Sequence, residues 1–162
     1  MWIEKILFAG VIVAVMSICS AGQAHVLDGA TEWNGHYYKI FRLRMNWELA
    51  NLFCQSMGGH LAIAETQAEN EMLKQIFNDA DIQNCWLGAK RDNQKIWRWI
   101  SGKIIADYFD RASDSKPSGD DRFSAFYMTR DYKGRWYTMV PSHECEFMCE
   151  WESASAAHDS NM

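Results

Sequence analysis

The sequence has no basic surplus. Its formal net charge is −5, and no Lys/Arg-rich face stands out. Phosphate backbones need such a face, so nucleic acid is excluded as a partner. It also has no apolar run of the roughly 20 residues that cross a bilayer. There is no serine nucleophile elbow, no His-Glu-x-x-His and no phosphate loop. Internal repeats are absent, and 162 residues suit one domain rather than two. The absence of any catalytic constellation marks the chain as a non-enzyme.

What is present begins with the N-terminus. Glu4 and Lys5 precede an apolar run from Ile6 to Ile18, followed by Ser20, Ala21, Gly22 and Ala24. That pattern reads as a signal peptide over residues 1–24, cut after Ala24. The competing reading is an uncleaved anchor, and only then would a membrane be a partner. A lipidation signal at Cys19 fits worse, because bulky Ile18 precedes it. The expected location is therefore secreted or extracellular, or periplasmic in a bacterium. A short leader over 25–32 follows, then one domain over 33–152. Residues 153–162 are small and polar, and are expected to be a disordered tail.

Export implies an oxidising compartment. Without Cys19, four cysteines remain: Cys54, Cys85, Cys145 and Cys149. An even number in a short exported chain reads as two disulfides.

Apolar residues make up 48% and charged residues 23%, an ordinary globular balance. Eight Trp, eight Phe and six Tyr supply much buried area per residue. The stretch from Trp33 to Phe41 suits a hairpin turning at Asn34-Gly35. Asn46 is placed to cap a helix whose face carries Trp47, Ala50, Phe53, Cys54 and Met57. Gly58 and Gly59 stop it. Thr66 and Glu69 form a capping box for a second helix, with Met72, Leu73, Ile76 and Phe77 as its apolar stripe. The period then changes to that of strands. These run over Cys85–Arg91, Lys95–Ile100, Phe123–Arg130, Arg135–Met139 and Glu146–Glu152, with a long polar loop from Asp107 to Asp121. The fold class is α+β.

Cys145 and Cys149, four apart on one strand, would lie roughly 13 Å apart at about 3.3 Å per residue. A disulfide needs Cα atoms within about 7 Å. Each must therefore reach Cys54 or Cys85. A zinc site from His143, Cys145 and Cys149 is the alternative, but the spacing is not that of a tight Cys-x-x-Cys knuckle.

These residues carry a resemblance. Trp47-Glu48-Leu49-Ala50 with Cys54, Gly58-Gly59-His60-Leu61-Ala62, Glu69-Asn70, Trp86-Leu87-Gly88, Trp97-x-Trp99, Gly134-Arg135-Trp136 and Phe147-Met148-Cys149-Glu150 occur in order. Together they resemble the short form of the C-type-lectin-like domain, from about Trp33 to Trp151. The resemblance implies two helices plus antiparallel strands, a long loop, and ends joined by Cys54–Cys149. With that bridge comes Cys85–Cys145 as an unusual second one. Many such domains carry a bridge within the loop region, and this chain has no cysteine near Phe123 to start it.

The resemblance also implies where calcium would sit in sugar-binding members: a Glu-Pro-Asn or Gln-Pro-Asp tripeptide, then an Asn-Asp pair. Here those positions read Lys116-Pro117-Ser118 and Tyr137-Thr138. A hard cation wants six to eight oxygens, and an ammonium group repels it. The expectation is no calcium and no other cofactor or metal. The expected function is extracellular recognition of a glycan or protein ligand. The alternative is a structural or assembly protein using the domain for protein contacts. The candidate ligand residues are Lys116, Asp120, Asp121, Arg122, Arg135 and Tyr137, on or beside the long loop.

Overall fold

The computed structural model describes residues 27–105 and 124–152. The proposed signal peptide, the polar tail and the whole long loop from Asp107 to Asp121 lie outside them. The described chain opens with β1 (Thr31–Trp33) and β2 (His36–Met45), which pair antiparallel. Their turn is Asn34-Gly35 as expected, both residues at positive φ (51° and 81°). A two-residue turn of that hand matches the twist of the strands it joins.

Helix α1 runs Trp47–Ser56. Asn46 caps it, its side chain accepting from the Leu49 amide at 2.9 Å. Trp47, Ala50 and Cys54 form its buried face. Gly58 (φ 76°) turns the chain out of the helix in the left-handed region. The two-residue strand β3 (His60–Leu61) leads to α2 (Gln67–Asp79). Thr66 Oγ1 accepts from Glu69 N at 3.2 Å, while the Glu69 carboxylate accepts from Glu65 N at 2.7 Å. The capping box thus closes one residue earlier than its usual form.

The remaining strands are β4 (Asn84–Arg91), β5 (Trp97–Trp99), β6 (Ala125–Thr129), β7 (Arg135–Met139) and β8 (Cys145–Glu152). The sheet order is β1-β2-β8-β4-β6-β7, with β3 on β8 and β5 on β4. One pairing departs from an all-antiparallel expectation. β8 enters between β2 and β4 and runs parallel to β4.

Strand alternation divides the interior into two cores. Leu87, Phe126, Met128, Trp136 and Met148 pack with Leu73 and Phe77 of α2. Trp86, Tyr127, Phe147 and Trp151 pack with Trp47, Ala50 and Cys54 of α1. Trp97 and Trp99 share one face, both in the α2 core. Cys54–Cys149 joins α1 to β8 with Cα atoms 5.5 Å apart.

The second bridge is corrected. Cys85 and Cys145 are unbridged, and both are fully buried. The cause is register. Cys85 pairs with Glu146, not Cys145, across the parallel β4–β8 ladder. Paired residues share a face and neighbours alternate. Cys85 therefore lies in the α2 core and Cys145 in the α1 core, on opposite faces of the sheet.

Candidate functional site

The loop of interest rises from a defined base. Before it, Ile105 N donates to Trp97 O at 2.9 Å, and Ile104 bridges to Arg98. After it, Arg91 N donates to Ser124 O at 2.8 Å, and Ser124 N donates to Met139 O at 3.2 Å. Both ends are thus anchored on the β4–β5 hairpin and the Met139 end of β7. Lys116, Asp120, Asp121 and Arg122 lie outside the described residues.

Of the two candidates the structure describes, one is near this base. Tyr137 is half-buried in the middle of β7. Its ring meets Tyr127 edge-on at 6.1 Å, and Tyr127 meets Trp86 edge-on at 6.0 Å. Trp86 is itself fixed by a hydrogen bond from its indole N–H to Met45 O at 2.9 Å. An aromatic file so runs from the α1 core to the surface of β7. Edge-on pairs of this kind add to rigidity as well as burial.

Arg135 lies away from the described base of the loop. It pairs with Thr129 at one end of β7, whereas Met139 pairs with Ala125 at the loop end. Four residues of strand separate them, about 13 Å at 3.3 Å per residue. The sequence places Arg135 two residues before Tyr137, so the two share a face. That reading is silent on which end of the strand the loop joins.

The β4–β5 hairpin is legible in the sequence as strands, but not as part of the site. Lys90, Arg91, Asp92, Asn93, Lys95 and Ser124 line a cavity of about 340 Å³ there. Asp92 accepts from Arg98 Nε at 2.7 Å and from the Gln94 and Ile96 amides, each at 2.9 Å. The Arg98 guanidinium and those amides hold its carboxyl below the usual range. Asp92, the one acid among the described residues that line the cavity, is thereby engaged by its own turn and by Arg98. Lys90 pairs with Glu48 and sits 5.0 Å above the Trp47 ring, while Arg91 sits 5.9 Å from the Trp97 ring. Cations held on aromatic faces keep a fixed position at little entropic cost. The visible signal was three cations at Lys90, Arg91 and Lys95 beside a single acid, in a chain that is acidic overall.

Together these features define a disulfide-closed α+β scaffold in which the two ends of a long loop are anchored on a cationic, aromatic-backed hairpin. The Lectin C-type domain model matches residues 43–151, and the chain belongs to that family. It is 30% identical over 104 residues to C-type lectin lectoxin-Lio1 of Erythrolamprus poecilogyrus, covering 61% of this chain and 64% of that protein. The chain thus spans just under two thirds of that relative's length. It is 26% identical over 144 residues to subunit B1 of the snaclec coagulation factor IX/factor X-binding protein of Trimeresurus stejnegeri, covering 85% and 94%. Among solved structures, human lithostathine superposes with a TM-score of 0.70 at 22% identity, over 77% of this chain and 98% of that one. A calcium-independent type II antifreeze protein gives 0.66 at 21%, over 76% and 92%. At those identities the structural likeness shows the fold alone.

Proposed function

We propose that this domain is an exported recognition module, without catalytic activity, that binds a glycan or protein ligand without calcium. Its binding side comprises the long loop, with Lys116, Asp120, Asp121 and Arg122, together with the Lys90–Arg91–Lys95 hairpin and Tyr137. The observation that carries the reading is the anchoring of both loop ends on that hairpin. A loop on a rigid, disulfide-tied scaffold is where binding residues gather. Cations at the base and Lys116 in the loop disfavour a divalent cation. The family supports binding of either ligand class. One relative is named for binding coagulation factors. One solved relative, murine dendritic cell inhibitory receptor 2, is in complex with an N-glycan.

A glycan array run with and without chelator tests this. Binding that survives chelation, weakens in Lys90→Ala and Tyr137→Ala, and persists in Arg135→Ala is the expected result. Chelator-sensitive binding overturns calcium independence. A silent array with a protein captured at the same face assigns the ligand to the protein class.

A further inference from the structure

Glu150 sits in β8 next to the disulfide residue Cys149, and it is 1% exposed. A carboxyl so buried demands partners. Groups face it from four directions. From β2, His36 Nδ1 lies 2.8 Å from Oε1, and the Tyr38 hydroxyl lies 3.3 Å from the same oxygen. From the segment between β3 and α2, the Ile63 amide donates to Oε2 at 3.1 Å. From β3, His60 Nδ1 stands 3.9 Å from Oε2, with Leu61 O at 2.9 Å from the same nitrogen. From α2, Glu69 faces it across Tyr38, whose hydroxyl is also 3.3 Å from Glu69 Oε1.

The Tyr38 hydroxyl is the informative member. It carries one proton and lies equally far from two carboxyl oxygens. With both carboxylates ionised it can donate to only one. With one proton added on Glu150, that acid donates to Tyr38, Tyr38 donates to Glu69, and the chain of bonds is complete. The neighbouring Glu69 oxygen already accepts from Glu65 N, which suits the ionised form of Glu69. Glu65 itself is turned away, toward Lys103 and Ser101.

We propose that Glu150, Tyr38, Glu69, His36 and His60 form a proton-operated clasp, closed when one proton is bound and loosened when it leaves. The clasp joins the β1–β2 hairpin, β3 and the start of α2 to the strand that closes the domain. The imidazoles of His36 and His60 are partly exposed, at 37% and 30%, which gives solvent protons a way in. Burial pushes the Glu150 carboxyl above the ordinary range, opposed by His60, Ile63 N and His36, and Glu69 adds to the rise. Burial and both carboxylates likewise push the Tyr38 hydroxyl far up, so it remains a donor.

A group that titrates higher in the native than in the unfolded chain keeps its proton after the unfolded chain has lost it. Stability then falls as pH rises from the ordinary glutamate value through the native one. The test is carboxyl ¹³C NMR on the whole protein from pH 4 to 8, with urea midpoints for wild type and Glu150→Gln. The expected result is a Glu150 midpoint above that of free glutamate, with the Tyr38 and Ile63 amide shifts following it. The urea midpoint of wild type should fall over that window relative to Glu150→Gln, whose neutral amide cannot lose a proton. A Glu150 midpoint at or below that of free glutamate, or amides that ignore it, overturns the proposal. So do parallel stability curves. If Glu150→Gln does not fold, the wild-type NMR titration decides alone.

Discussion

The indole N–H of Trp136 donates to Asn70 Oδ1 at 2.9 Å, and both side chains are fully buried. The bond ties the first turn of α2 to β7 across the larger core. Removing the acceptor leaves a buried donor unsatisfied, which costs about 1–3 kcal/mol. Asn70→Ala should therefore lower the urea midpoint with little change in m-value. An unchanged midpoint would show that the bond contributes nothing net.

Cys85 and Cys145 should resist alkylation in the native protein. Burial drives both thiols toward the protonated form, Cys145 to about 12 and Cys85 well above its ordinary value. The thiolate is the reactive species. Peptide mapping should show Cys85 and Cys145 labelled only after denaturation, and Cys54 and Cys149 only after reduction as well. Recovery of a Cys85–Cys145 peptide would refute the register argument.

Cys54→Ser paired with Cys149→Ser should destabilise strongly. The bridge spans a sequence separation of 95. A loop of that length corresponds to about 4–5 kcal/mol in the chain-entropy model. Thermal unfolding should show a large drop in Tm, or no cooperative transition at 37 °C.

Gly88→Ala should be among the costliest single-methyl changes. An added Cβ would lie 2.6 Å from Leu61 O and 3.0 Å from both Ile100 and Ile63 side chains. The backbone carbonyl cannot step aside without breaking the β3–β4 approach, so overpacking of about 1–3 kcal/mol is expected. Chemical denaturation measures it directly.

Glu65 gives an acid-side prediction. Burial raises its pKa, but hydrogen bonds from Lys103 Nζ (3.0 Å) and Ser101 Oγ (2.8 Å) outweigh that and lower it. A depressed carboxyl contributes stability above its unfolded pKa and loses it as pH falls through the folded one. Lys103→Met should shrink stability at pH 7 by under about 1 kcal/mol, since the pair is partly solvated. The difference from wild type should vanish near pH 3 in Tm measurements.

Much of the fold was legible because its signals are local. Asn34-Gly35 states its turn, Asn46 and Thr66 state their helices, and Trp97 and Trp99 share a face by spacing alone. The ordered motif series added the Cys54–Cys149 closure. What stayed hidden depends on which strands become neighbours. The cysteine count left Cys85 and Cys145 as a pair, and nothing in it showed that a parallel ladder offsets them by one residue. Glu150 reads as one acid in an apolar strand, and its partner His36 is 114 residues away. Of the candidate site, spacing put Arg135 and Tyr137 on a common face of one strand, but did not show which end of that strand meets the base of the loop, because strand direction relative to the loop is a tertiary fact.

The position of β8 carries one last consequence. The final strand in sequence lies in the interior of the sheet, between β2 and β4. Until residue 152 has left the ribosome, β2 and β4 have no partner between them and the two cores cannot close. Partial chains then expose two unpaired strand edges. Synthesis of this domain should be followed by folding rather than accompanied by it, and a ribosome stalled before Cys145 should display a chain that proteases still cut.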